Sequence, residues 1–284
     1  MDFDGHNLQT QTYDDAVEVA EKALGLTVDR ARVAYGTQGA TVGFPTNQGT
    51  WVHLAWRPLH RAGSAWTGVE LASAITGVRK PHLFRSYRWW DDVRDVVWRA
   101  DEVERATSPA VSASGSIAES PVLGETWWGS LRESLSALAG HSTDRVAMSQ
   151  GHLAGRLSEV FGSSFTYDAD VAVVEWSTAH GDLHWGNLTA PEFVILDWES
   201  WGKAPRGYDA ATLWGFSLGV PEVSARIEQV FDSDFSTRSG KLSQLMFCAN
   251  VLRQFAKRGK VMPFTDGVRA AAPRLLRELG LTEG

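Results

Sequence analysis

Cysteine is nearly absent. Cys248 is the single one in 284 residues, so no intramolecular disulfide can form, and its apolar surroundings, "QLMFCANVL", mark it as a buried, inert thiol. No run approaches the ~18 consecutive apolar residues of a membrane-spanning helix. The first residues, "MDFDGHNLQTQ", are acidic and hold no apolar stretch, so no secretory signal is expected and a cytoplasmic setting follows. Positive charge is short as well: 27 Lys and Arg stand against 34 Asp and Glu, a net charge of −7. A phosphate backbone needs a basic face, which excludes nucleic acid as the main partner. The one basic cluster, "AKRGK" at 256–260, reads as a solvated helix end. No internal repeat is present. What remains is 43% apolar and 21% charged, an ordinary globular composition long enough for one large domain or two lobes.

The chain changes character along its length. A helix is expected from about Tyr13 to Leu24, capped by Thr12, with Asp14 and Asp15 at its positive end and Gly25 as the stop. "RARVAYG" reads as a strand, "TQGATVGF" as a small-residue turn, and "TWVHLAWRP" as a second strand, since it alternates and is rich in bulky residues. "GVELASAITGV" reads as a short helix closed by Gly77, and "HLFRSYRWW" with "RDVVWRADEV" as a hairpin about Asp91 and Asp92. Large apolar groups then thin out in "ATSPAVSASGSIAES", 106–120, a connecting or flexible segment. Beyond it helical patterns dominate: "ETWWGSLRESLSALAG", "SQGHLAGRLSEVFG", "DVAVVEWSTA", and everything from Tyr208 to Leu279. This predicts an α+β chain with a β-rich lobe over 1–105 and a helical lobe over 106–284.

A polar island, "HGDLHWGNLTAPEFVILDWESWG", interrupts the helical part at His180–Gly202. Gly181 and Gly186 allow a tight backbone and close approach of a ligand. "EFVILD" reads as a short strand ending at Asp197, long enough to fold back and bring Asn187 and Asp197 to one side with Asp182 nearby. Oxygen ligands without cysteine suit Mg²⁺ rather than zinc, and a carboxylate plus an amide completed by phosphate oxygens and water is how Mg²⁺ is held in phosphoryl-transfer sites. A nearby carboxylate free of metal can take a hydroxyl proton.

"HGDLHWGNL" followed by "VILDWES" resembles the catalytic and metal-binding signature of the aminoglycoside phosphotransferase and choline kinase family. The protein-kinase counterpart is H-R-D-x-x-x-x-N followed by a metal-binding Asp. "APRGYDAATL" looks like the family's segment after that Asp. The resemblance implies a protein-kinase-like, two-lobed fold. It implies ATP and Mg²⁺, a hydroxylated small-molecule acceptor such as an antibiotic or metabolite, and no membrane or nucleic-acid partner. It makes Asp182 the base, Asn187 and Asp197 the Mg²⁺ holders, and His180 and Asp209 supports of the catalytic loop. His184 either meets phosphate or pads the loop. Glu199 either helps position metal or faces solvent.

The strong motifs span about 180–213, and the small lobe departs from the pattern. Kinases hold the α- and β-phosphates with a lysine on the third strand, paired with a glutamate on the next helix. "TWVHLAWRP" has no lysine. Arg57, always charged, is the first candidate in its place and His53 on the same face the second, with Glu70 as the paired acid; neither need touch ATP. Adenine is expected against backbone groups of Arg99, Ala100 and Asp101. Trp89, Trp90, Trp127 and Trp128 either line a pocket or belong to the core. Glu222, Glu228, Asp232 and Asp234 either bias the acceptor site toward a cationic molecule or simply face solvent. Two other readings compete. A metallophosphoesterase start, G-D-x-H-G, is broken by Trp185 where glycine is needed. A non-catalytic nucleotide-binding descendant is motivated by the missing lysine and opposed by the intact Asp182, Asn187 and Asp197.

Overall fold

The computed structural model describes residues 7–36, 39–62, 64–162 and 168–281. The chain divides into two compact units, Met1–Ala74 with Lys80–Thr107, and Ile75–Arg79 with Ser108–Gly284.

The first unit is a sheet with one helix on its apolar face. Helix α1, Asp14–Leu24, buries Ala16, Val17, Ala20 and Leu24, a stripe at helical spacing. Gly25 ends it at φ 63°, its N–H closing on the Glu21 carbonyl, as expected of a left-handed C-cap. The expected Thr12 cap is not made. Tyr13 flanks the first turn without a side-chain bond, and Asp14 and Asp15 alone complement the positive end.

Five strands follow: β1 (Ala34–Tyr35), β2 (Thr41–Pro45), β3 (Trp51–Pro58), β4 (Leu83–Asp91) and β5 (Val96–Val103). They are antiparallel in the order β1-β2-β3-β5-β4. Alternation sends Val42, Phe44, Val52, Leu54, Trp56, Val96, Trp98 and Ala100 into one core with α1. Two sequence expectations fail here. "RARVAYG" is mostly not a strand, because the Asp29 carboxylate accepts the Ala31 N–H and winds Arg30–Arg32 into a 3₁₀ turn. "TQGATVGF" is not all turn, because Val42 and Phe44 alternate into the core and make β2; Thr37 and Gln38 lie outside the described residues. Helix α2 covers only Gly68–Ala72, shorter than expected, since the following Ile75 and Thr76 are β-branched and disfavour continuation.

The second unit is mainly helical: α3 (Glu125–Ala139), α4 (Gln150–Phe161), α5 (Tyr208–Phe216), α6 (Pro221–Val230), α7 (Asp232–Phe235), α8 (Arg238–Arg258) and α9 (Thr265–Leu279). Helix α8 packs against α4, α5 and α9 and carries Cys248 fully buried at its centre. Burial pushes that thiol's pKa up to about 12, in keeping with an inert cysteine. "DVAVVEWSTA" is not a helix. After a short 3₁₀ turn it gives strand β6, Trp176–Ala179, paired antiparallel with β7, Gly202–Pro205. The paired strand is supplied from 23 residues beyond Ala179, so nothing local announces it. Among the described residues no helix is long and apolar enough to cross a membrane.

Candidate active site

Strands β6 and β7 bracket the polar island and fix both its ends. The chain leaves β6 at Ala179, runs through His180–His184, makes a 3₁₀ turn at Trp185–Asn187, and returns toward β7 through Asp197. Asp209, in the first turn of α5 and 6% exposed, holds the start of this loop. Its carboxylate accepts the His180 N–H at 2.6 Å and the Gly181 N–H at 2.9 Å. Burial pushes its pKa up, opposed by the His180 side chain and by these two N–H donors. Gly181 has φ 85°, and a Cβ there would stand 2.5 Å from the Ser200 carbonyl, so no other residue fits. His180 is fully buried, its Nε2 donating to the Leu196 carbonyl at 2.9 Å and its ring edge-to-face with Trp198. It ties the two halves of the island together.

Asp182 lies just past this clamp, with half its side-chain surface open. Loss of water around it raises its pKa; His184 pulls the value down and the Asp197 charge pushes it further up. His184 Nδ1 accepts the Gly186 N–H at 3.1 Å and caps the 3₁₀ turn. The neutral ring then carries its proton on Nε2, which faces the Asp182 carboxylate at 3.9 Å. The sequence left His184 undecided; it is the cap of this turn, and its Nε2 faces Asp182.

Asn187, 7% exposed, donates from Nδ2 to the Asp182 carbonyl at 2.9 Å, which leaves Oδ1 as the atom offered to a cation. "EFVILD" does not form the expected strand. Only one bridge survives, Leu188 to Ile195, followed by the Leu196 N–H on the Asn187 carbonyl at 2.8 Å. The Ile195 N–H bonds the Arg79 carbonyl and the Ile195 carbonyl accepts the Trp198 indole N–H, so both are engaged outside a ladder. The chain nonetheless folds back at the backbone, where Leu196, next to Asp197, bonds Asn187, and the Asp197 charge is close enough to push the Asp182 pKa up. Asp197 has φ 60°, a strained value for a non-glycine residue and one that recurs where function over-determines the backbone. Among the described residues no group of three or more His, Cys, Asp or Glu could hold a metal ion, so the histidines form no zinc-type cluster. The hard oxygens of Asn187 and Asp197 fit Mg²⁺.

Supports invisible to motif reading lie around this loop. The serine-rich segment after 106 is not slack: Val111 N–H bonds the Leu188 carbonyl, Ser112 N–H the Trp185 carbonyl, and Trp185 N–H the Gly115 carbonyl. Arg145 donates to the carbonyls of Trp201 and Glu199 at 2.9 and 2.8 Å and stacks on the Trp201 ring. Trp127 and Trp128 are core, not pocket: both are buried against Trp185, and the Trp127 indole holds the Thr189 carbonyl. Asp234 is bound by Arg206, and Glu228 accepts the Trp214 indole N–H, so these two acids are already engaged. Glu222 and Asp232 sit in the first turns of α6 and α7. A groove of about 710 Å³ runs past Arg132, Glu133, Ser177, Tyr208, Asp209 and Asp234.

In the first unit, Glu70 does not pair with Arg57. It faces Arg99 on β5, at 3.8 Å. Arg57 lies over the Trp66 ring and donates to the Trp56 carbonyl, and His53 stands on the same face of β3. The backbone of Arg99, Ala100 and Asp101, expected to face adenine, is paired on both sides, with β3 and with β4. Those groups serve the sheet. Trp89 stacks between Tyr87 and Trp98, while Trp90 is exposed.

No protein-family model matches the sequence, and no curated protein matches it. Solved structures do match along nearly the whole chain. Aminoglycoside phosphotransferase APH(4)-Ia aligns at 10% identity and TM-score 0.58, over 96% of this chain and 100% of its own. The GDP complex of aminoglycoside 2'-phosphotransferase-IIIa aligns at 13% and 0.58, over 95% and 98%. Macrolide 2'-phosphotransferase MphH from Brachybacterium faecium aligns at 14% and 0.52, over 93% and 98%. The chain has the fold of these antibiotic phosphotransferases. It is the α+β, kinase-like architecture that the loop motif implies, with the antiparallel sheet in the N-terminal part and helices in the C-terminal part.

Proposed function

We propose that this protein transfers the γ-phosphoryl group of ATP to a hydroxyl of a small molecule. The observation that carries the reading is the loop itself. A half-open carboxylate stands beside an amide and a strained carboxylate, in a loop clamped by a buried aspartate, on a chain with the phosphotransferase fold. One structural neighbour is a ternary complex with ADP and hygromycin B and another a GDP complex, which favours a nucleotide and a hydroxylated acceptor here as well.

In this reading Asp182 accepts the proton of the acceptor hydroxyl as its oxygen bonds to the γ-phosphorus and the bond to ADP breaks. The raised pKa of Asp182 makes it a stronger base than an ordinary aspartate. His184 opposes that rise. Asn187 and Asp197 would hold Mg²⁺, which supplies charge neutralisation for the phosphate oxygens. Asp209, His180 and Arg145 position the loop without touching the reacting atoms. The β-rich segment to about residue 105 would serve the nucleotide and the remainder the acceptor. Adenine would meet backbone after Val103, where the chain leaves the ladder. A cytoplasmic setting suits an ATP-dependent enzyme.

The direct test is a screen of hydroxylated antibiotics and metabolites with Mg²⁺ and ATP, read by mass for one added phosphate. Nucleotide binding without transfer to any acceptor would favour a non-catalytic descendant. Absence of nucleotide binding would reject the reading.

A further inference from the structure

No lysine stands on any of the five strands of the sheet. The strand arginines are Arg57, Arg85, Arg88 and Arg99. Arg85 pairs with Glu102 at 2.6 Å, Arg88 is exposed, and Arg57 lies over Trp66. Arg99 is different. It is 2% exposed, opposite Ala55 on β3 and Arg88 on β4, on the face away from α1. Its Nε meets both oxygens of the buried Asp101 at 2.8 and 2.7 Å, and its Nη2 donates to Ser86 Oγ at 3.2 Å and faces Glu70 on α2. Ser86 is itself bonded to Asp101. Nη1 is buried and has no hydrogen-bond partner among the described residues.

Such a group is costly to leave as it is. A buried charged donor without an acceptor loses the full desolvation penalty of that donor, and a buried ion pair alone does not repay it. The guanidinium is also rigidly aimed, since Asp101, Ser86 and Glu70 hold its other edges. An anionic oxygen meeting Nη1 would form a charge-assisted hydrogen bond with no reordering of the side chain. The facing position on β3 is Ala55, whose side chain is a single methyl group. Among the described residues of this face the guanidinium groups of Arg57, Arg88 and Arg99 stand with the carboxylates of Asp101 and Glu70, so the local balance favours an anion.

We propose that Arg99 is the phosphate-contacting cation of the sheet, taking an oxygen of the nucleotide's phosphate chain on Nη1 while Glu70 and Asp101 orient it. This rests on the nucleotide-binding reading above. It moves the cationic role from the third strand to the fifth, onto the residue that the helix acid meets.

The test is calorimetric binding of ATP, ADP and adenosine, with Mg²⁺, to the full chain and to Arg99→Met, Arg99→Lys, Glu70→Gln and Arg57→Ala. Arg99→Met is expected to lose at least tenfold in ATP and ADP affinity with adenosine affinity unchanged. Arg99→Lys should recover part of the loss, and Glu70→Gln should weaken ATP severalfold through misaimed Nη1. Arg57→Ala should have the smaller effect. Should Arg99→Met fail to fold, the Lys and Gln variants decide by the same ATP-to-adenosine ratio. An unchanged ratio in the folded Arg99 and Glu70 variants overturns the proposal while leaving nucleotide binding intact. A wild-type chain that binds no nucleotide overturns both.

Discussion

The loop from His180 to Asp197 and the polar face of the small sheet gather charge by opposite routes. The loop draws Asp182, Asn187 and Asp197 from one continuous stretch and needs one outside residue, Asp209, to hold its start. The sheet face assembles Glu70, Ser86, Arg99 and Asp101 from a short helix and two strands whose register alone makes them neighbours. A motif can therefore be read in the first and not in the second. The loop also leaves its key carboxylate half open, whereas Arg99 and Asp101 are sealed at 2% exposure each. Open groups are tuned for proton exchange, and sealed ones for fixed direction.

The contrast can be broken most sharply at Asp182. Asp182→Asn should lower turnover by about 10²–10⁴-fold with nucleotide affinity nearly unchanged, the range of a lost general base; retained turnover removes Asp182 from that role. The same variant carries a stability signature. The folded-state pKa of Asp182 lies above its unfolded value, so its contribution is favourable below the unfolded pKa and is lost as pH rises through the folded one. Asp182→Asn should then melt higher than wild type at neutral pH, and the gap should close in acid.

Next in size is the clamp. Asp209→Ala strips two backbone N–H groups of a charged acceptor and should cost about 2–4 kcal/mol in denaturant unfolding. A loss under about 0.5 kcal/mol, the level of an ordinary surface change, contradicts a clamp. Smaller again, Asn187→Ala and Asp197→Ala should each raise the Mg²⁺ concentration for half-maximal rate by about tenfold or more, roughly 1.4 kcal/mol. Equal Mg²⁺ dependence in all three proteins would separate these residues from the metal. The smallest effect belongs to His184. His184 draws the Asp182 pKa down, so His184→Ala should move the acid limb of the kcat/KM profile to higher pH. In wild type that limb should already lie above the ordinary aspartate range. A shift toward lower pH in the variant reverses the assigned sign.

Several elements were legible without tertiary information. Helix α1 and its Gly25 stop follow from spacing, and the β4–β5 hairpin follows from two alternating runs about a polar turn. The failures share a cause. β6 was read as helix because its partner β7 begins at Gly202, and β2 was read as turn because Gly43 masks the alternation of Val42 and Phe44. Core or pocket was open for Trp127 and Trp128 on the sequence, and their contacts with Trp185 make them core.

The sequence by itself determined which polar groups the loop gathers, because Asp182, Asn187 and Asp197 lie within one short stretch that limits where they can go. Only the tertiary structure decided which acid meets which base in the small sheet. Glu70 and Arg99 are 29 residues apart and meet at 3.8 Å, through the docking of α2 and the register of β5 against β3 and β4. Side-chain partners across a sheet are set by register, and register is settled by the whole pattern of burial rather than by any one residue.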